Sequence, residues 1–98
     1  MDIQLTIKNE DDNSGEPIII YDKTALYDSN TNSHSFLCEV SYQSDSIMVR
    51  GGCDEQSIQI LVMVNDEQKL MYIGQMDHKN SSFVISIATK QHLCITIV

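Results

Sequence analysis

Apolar and polar residues alternate with a period of two along most of the chain. In residues 3–7 isoleucine and leucine alternate with glutamine and threonine, and similar runs occupy 36–42, 58–64, 83–88 and 93–98. This spacing places apolar side chains on one face of a strand, whereas a helix requires spacings of three and four. The sequence therefore predicts an all-β protein with little or no helix.

Turn-forming residues separate these runs at intervals of roughly ten residues. The densest clusters are 9–15, 43–46, 65–68 and 77–81. Connections this short favour antiparallel neighbours, because a parallel pair needs a long crossover. We predict one domain spanning 1–98, a small antiparallel meander of about seven or eight strands, closed or half-closed as a barrel or folded as a two-layer sandwich.

Two of the predicted strands carry information beyond their alternation. Residues 56–65 are apolar on both faces, with even positions from Ile58 to Val64 on one side and Leu61 and Met63 on the other. This pattern is typical of a central strand. The last strand, 92–98, has almost no charge, and we predict that it forms an exposed edge.

The net charge limits the possible partners. Fourteen acidic residues against six basic ones give a formal charge of −8. Phosphate contacts need lysine or arginine, so this balance argues against binding to nucleic acid or to an anionic membrane. The apolar runs are too short to span a bilayer, and the first residues lack the pattern of a secretory signal. Three cysteines without close pairs indicate no disulfide framework. We therefore predict a cytoplasmic protein.

No motif with a recognisable chemistry is present. The acidic segment after Asn9 resembles a calcium loop, but Tyr21 stands where that loop needs a bidentate glutamate. Gly51-Gly52 ends a short predicted strand and lacks the lysine of a phosphate loop. Cys53 then falls in a predicted exposed turn, where Asp54 would raise the pKa of its thiol rather than activate it. We expect no enzyme activity, no metal and no cofactor.

The acidity belongs to one half of the chain. Residues 1–49 hold nine acidic and two basic residues, a net charge of −7, whereas residues 50–98 have a net charge of −1. Such asymmetry focuses a negative potential and favours a cationic partner. We predict a small protein that binds and blocks a basic protein, such as a nuclease toxin, as immunity proteins do. The predicted contact residues are Glu10, Asp11, Asp12, Glu16, Tyr21, Asp22, Tyr27 and Asp28.

Three alternatives stay open at this stage. The acidic loops can serve only to keep a β-protein soluble and to prevent its edges from pairing. The protein can be an assembly module that pairs through an exposed strand edge, and we expect a monomer or a weak homodimer. A small-ligand carrier or enzyme would need polar groups inside a barrel, for which the candidates are Tyr42, Tyr72, His92 and Cys94.

Overall fold

A computed structural model describes residues 2–9, 17–75, 81–88 and 91–97. These residues form nine strands and no helix, which confirms the all-β prediction. The larger strand number includes a strand of only three residues after Ala25. The strands are β1 (Asp2–Asn9), β2 (Ile18–Thr24), β3 (Leu26–Asp28), β4 (Ser33–Tyr42), β5 (Asp45–Cys53), β6 (Ser57–Val64), β7 (Glu67–Gln75), β8 (Ser81–Ala88) and β9 (Gln91–Ile97).

The strands form two antiparallel sheets. One has four strands in the order β2-β1-β9-β8, and the other has five in the order β3-β4-β5-β6-β7. The five middle strands follow one another as a meander, whereas the four-stranded sheet combines a hairpin from each end of the chain. The sheets are not closed into a barrel, so the two-layer sandwich is the alternative that the chain adopts. The chain passes from one sheet to the other at Ala25, which is buried.

The last strand lies inside its sheet. β9 pairs with β1 on one side and with β8 on the other, so the prediction of an exposed edge at residues 92–98 is wrong. With β1 and β8 on either side and the core above them, Leu93, Ile95 and Ile97 are at most 1% exposed, a more complete burial than an edge position would give. Among the described strands, the sheet edges are β2, β8, β3 and β7.

A single apolar core fills the space between the sheets. The period-two alternation directs every second side chain of β1, β9, β5 and β6 inward, where it is removed from water. Each fully buried isoleucine or leucine stabilises the fold by roughly 1.5–3 kcal/mol. The most completely buried members are Ile3, Leu5, Ile7, Cys38, Ile47, Val49, Ile58, Ile60, Val62, Leu93, Ile95 and Ile97.

Asn65 joins two hairpin ends. Asn65 and Asp66 form the turn between β6 and β7 with φ of 51° and 63°, as a type I′ turn requires. The Asn65 backbone N–H donates to the carbonyl of Ser46 at 2.8 Å, and its side-chain oxygen accepts from the Ser46 N–H at 2.9 Å. Its side-chain NH₂ donates to Asp45 at 2.8 Å. These contacts attach the β6–β7 turn to the start of β5.

We expect Asn65→Ala to lower the free energy of unfolding by about 2 kcal/mol, because alanine loses the side-chain hydrogen bonds and is strained at positive φ. Asn65→Gly removes the same hydrogen bonds but tolerates that φ, so its loss should be only about 1 kcal/mol. Urea unfolding of both variants measures the difference. Equal losses would show that the backbone conformation contributes nothing.

Gly51 allows an aromatic ring to pack on the backbone of β5. Phe36 lies opposite Gly51 on the inner face of the neighbouring strand and is 6% exposed. A Cβ at position 51 would lie 2.7 Å from Phe36 Cζ and would also collide with the Gln59 carbonyl oxygen. Gly51 is therefore required by a close approach, and the ring of Phe36 occupies the space that a side chain would take.

Gly51→Ala should destabilise the fold by roughly 1–3 kcal/mol, the usual cost of overpacking a filled core. Gly52→Ala is the matched control, because a Cβ there would point to the outer face and its closest contact would be the His34 carbonyl oxygen at 3.0 Å. Urea unfolding should show a clearly smaller loss for the control. A larger loss for Gly52→Ala would contradict the assigned role of Phe36.

Candidate functional site

The two outer faces of the sandwich differ in chemistry. The outer face of the four-stranded sheet is mostly polar, with Ile19 and Val84 as its strongly exposed large apolar side chains at 58% and 69%. A polar outer face is ordinary for an antiparallel sheet. Its polar members, placed by register opposite one another, include Gln4, Thr6, Thr24, Ser82, Ser86 and Thr96.

The outer face of the five-stranded sheet is apolar at its centre. Leu37, Arg50, Leu61 and Met71 are aligned in one row across β4, β5, β6 and β7. Leu37 is 55% exposed and Met71 is 62% exposed. We call this surface the Arg50 face and define it as Leu37, Met48, Arg50, Leu61, Met63, Met71 and Ile73.

The second apolar side of β6 belongs to this face. β6 is an interior strand, as predicted, and its inner residues are buried. Leu61 and Met63 point outward instead and are only half-buried, covered by neighbouring side chains. Leu61 and Met63 therefore contribute apolar surface to the outer face of the sheet rather than to the core. The sequence pattern contained this signal, but it did not show which of the two faces would stay uncovered.

Gly52 opens a depression in the Arg50 face. It lies between Ser35 and Gln59 on the outer side of the sheet, where it contributes no side chain. The resulting depression of about 320 Å³ is lined by Arg50, Gly52, Gln59, Leu61, Met71 and Ile73, among others. A second depression of about 340 Å³ on the same sheet is lined by residues that include Glu39, Met48, Met63 and Asp66. Both depressions combine apolar and polar lining, and concave surfaces of this kind accept protruding side chains of a partner.

Arg50 has an unusual setting for a cation in an acidic chain. It is exposed, and its cross-strand neighbours are Leu37 and Leu61. Within the described part of the chain no carboxylate lies within ion-pair distance of Arg50. Lys69, in contrast, forms an ion pair, with its Nζ 3.6 Å from Glu67 Oε1. The guanidinium of Arg50 is consequently available to an acceptor from outside.

The structure separates the predicted acidic contact residues that it describes. Asp22 lies opposite Gln4 on the outer face of the four-stranded sheet, and Asp28 lies opposite Ser33 on the outer face of the five-stranded sheet. These two faces point in opposite directions. The remaining predicted acids fall outside the described residues, namely Glu10, Asp11, Asp12 and Glu16.

The two predicted tyrosine anchors have different environments. Tyr21 is half-buried against the core, where burial raises the pKa of its hydroxyl, and Lys23 Nζ lies 5.7 Å from its ring. Tyr27 is 55% exposed, its ring lies 4.9 Å from that of His34, and its hydroxyl donates to Asn32 Oδ1 at 2.6 Å. Of these two tyrosines, Tyr27 is the one that presents a large aromatic surface to solvent.

Cys53 is not in an exposed turn. β5 continues through Gly51 and Gly52 to Cys53, which is 7% exposed and lies opposite His34. Burial raises the pKa of its thiol, and the neighbouring Asp54 raises it further, as predicted from its sequence position. The prediction of an exposed turn was wrong because glycine is compatible with an extended strand when a neighbouring ring fills the space above it.

The polar groups considered for a barrel interior do not converge. His92 and Cys94 alternate with the buried residues of β9 and therefore face outward. Tyr72 faces the other sheet, where its ring lies 5.0 Å from that of Phe83. Tyr42 packs against the core from the end of β4. No common pocket is formed by these four side chains.

The described residues contain neither a metal cluster nor a membrane-spanning helix. No group of three histidine, cysteine, aspartate or glutamate side chains among them is arranged to hold a metal ion. None of their elements is a helix of the length and apolarity required to cross a bilayer. Comparisons with protein-family models, with curated proteins and with solved structures give no match.

The buried thiol of Cys38 predicts a loss of stability at alkaline pH. Burial is the main cause that raises its pKa from 9.0 to about 11, with Lys23 opposing and Glu39 adding to the shift. Below pH 9.0 the thiol is protonated in both states, whereas between pH 9.0 and about 11 it ionises only in the unfolded chain. The contribution of the buried Cys38 thiol to the free energy of unfolding is therefore complete below pH 9.0 and decreases as pH rises from 9.0 to about 11.

Urea unfolding of the native protein and of Cys38→Ala from pH 7.5 to 10.5 tests this expectation. Cys38→Ala should be less stable at pH 7.5, because the shorter side chain leaves a small cavity. The difference in free energy of unfolding between the two proteins should then narrow as pH rises. Groups that do not interact with Cys38 cancel in the difference between the two proteins, whereas Tyr21 contributes to it because Cys38 is, after burial, one cause of the rise in the Tyr21 pKa. A gap that stays constant or widens would contradict the assignment.

Proposed function

We propose that the protein is a protein-binding module that engages a basic partner and uses the Arg50 face as its contact surface. The observation that carries this proposal is the exposed apolar centre of that face. Leu37, Met71 and Ile73 are 55%, 62% and 64% exposed. Contiguous exposed apolar patches on soluble domains mark interaction sites, because covering them removes apolar surface from water.

The composition of the Arg50 face matches that of a protein contact. Leucine, isoleucine and methionine side chains surround one arginine, and methionine and arginine are both enriched at interfaces. Three methionines also let the surface adapt to the shape of a partner, because the side chain is unbranched and polarisable. Arg50 would supply hydrogen-bond donors for a carboxylate or carbonyl of the partner.

The net charge favours a cationic partner. A formal charge of −8 creates a long-range potential that accelerates encounters with basic proteins and repels polyanions. In this proposal the charge steers the approach, and the apolar face supplies the affinity. Blocking of a nuclease or another toxin by this contact remains a prediction, as does the participation of Glu10, Asp11, Asp12 and Glu16.

Affinity capture from a lysate of the source organism, followed by elution in a salt gradient, identifies the partner. A basic protein released by salt should then bind the purified chain with 1:1 stoichiometry in calorimetry. We expect its affinity to fall as salt rises, because screening weakens the steering charges. An activity assay of that partner shows whether binding blocks it.

The contact surface is tested with matched variants of the purified pair. Leu37→Glu places a carboxylate in the Arg50 face and should lower the affinity at least tenfold, because the charge must be desolvated on binding. Val84→Glu is the control, since Val84 is equally accessible at 69% exposure but lies on the opposite outer face. Charge reversal of Asp22 and Asp28 should lower the association rate and the salt dependence.

Four results would overturn parts of the proposal. Unchanged affinity of Leu37→Glu would remove the Arg50 face from the contact, and a stronger effect of Val84→Glu would place the contact on the four-stranded sheet. An acidic partner, or binding that does not respond to salt, would exclude the steering role of the net charge.

A further inference from the structure

One side of the sandwich carries few charged side chains. It is formed by the edge strands β7 and β8, in which Leu70–Gln75 and Ser81–Ala88 contain no charged residue, and the two charges at the start of β7, Glu67 and Lys69, pair with each other. The two strands are neighbours, since the rings of Tyr72 and Phe83 are 5.0 Å apart. The opposite side, formed by β2 and β3, carries two aspartates and a lysine. In a chain of which 20% is charged, two neighbouring uncharged segments of six and eight residues form a distinct surface.

We propose that β7 pairs with β7 of a second copy of this chain. The strands would run antiparallel about a twofold axis, so that the two five-stranded sheets join into one of ten strands. β7 is nine residues long and pairs with β6 on one side, and no other described strand pairs with it. Its free edge presents backbone N–H and C=O groups that a second strand can satisfy.

The sequence of β7 is complementary to itself in this orientation. Pairing centred on Tyr72 places Met71 opposite Ile73 of the second copy and Lys69 opposite its Gln75. Over the paired segment Lys69–Gln75 no like charges oppose each other, and two exposed apolar side chains from each copy come together on the outer face. β8 has no charged residue, but among its described side chains Val84 is the one large apolar side chain that is strongly exposed.

Electrostatic repulsion between two copies is weakest at the uncharged part of this edge. Each chain carries a formal charge of −8, so two copies repel each other over most of their surfaces. Between the Leu70–Gln75 segments of two copies the repulsion is long-range and is screened by salt. Self-association should therefore strengthen with salt, opposite to the expected weakening of a complex with a basic partner.

Sedimentation velocity of the purified protein tests the proposal without any partner. A pairing confined to one strand edge forms a small interface, so measurements from about 10 µM to about 500 µM are appropriate. We expect a monomer and dimer equilibrium in which the dimer fraction is larger at 500 mM than at 50 mM NaCl. The result is independent of the proposed function, because only this chain is present.

Matched lysine variants locate the interface. Ile73→Lys should weaken dimerisation at least tenfold, because two lysines then face apolar side chains across the twofold axis. Met71→Lys is the second variant for the same edge, and circular dichroism confirms folding of both. Leu37→Lys is the control, because Leu37 is similarly exposed but lies on the interior strand β4. The dimer dissociation constant of this variant should stay within threefold of the native value.

Each contrary result identifies a different fault. A monomer at every concentration and salt would overturn the proposal. Equal loss in Leu37→Lys would indicate that the Arg50 faces stack on each other instead. If Val84→Lys or Ile19→Lys weakened dimerisation while Ile73→Lys dimerised like the native protein, the pairing would belong to β8 or β2. That result would also overturn the proposal.

Discussion

The antiparallel pairing of the first strand with the last is the interaction on which the rest of the sandwich depends. β1 and β9 pair over seven residues, from Ile3 opposite Ile97 to Asn9 opposite Gln91. This pairing unites two hairpins that are distant in sequence, and it creates the only described sheet that can cover the five-stranded meander. Without it the inner faces of both sheets would remain in water. Because such contacts span nearly the whole chain, they carry a large loop-closure cost that must be offset by burial.

The outer surfaces of the sandwich differ in chemistry and therefore suit different kinds of contact. The four-stranded sheet faces water mostly with polar groups, the Arg50 face is apolar around one arginine, and the side formed by β7 and β8 carries few charges. Met71 and Ile73 belong to both the Arg50 face and the β7 edge. A dimer through β7 would therefore place two Arg50 faces on one continuous sheet, and a bivalent surface would raise the avidity for a repeated or dimeric partner.

Local chemistry made the strands predictable. Alternation in residues 3–7, 58–64 and 93–97 identifies both the extended conformation and the buried side, because a strand exposes alternate residues to opposite faces. The turn at Asn65-Asp66 follows from residues that tolerate positive φ. The misjudged segment, Gly51 to Cys53, failed for a non-local reason: Phe36 on another strand fills the space above Gly51 and keeps β5 extended.

What the sequence determined by itself was the all-β class, the position of nearly every strand, and the acidity of the chain. Only the tertiary structure decided which strands are neighbours, that β9 lies inside a sheet, and that Asp22 and Asp28 point to opposite sides. It also decided that Leu61 and Met63 face solvent. The physical reason is that side-chain alternation defines two faces for a strand, but only packing against other strands determines which of them is covered.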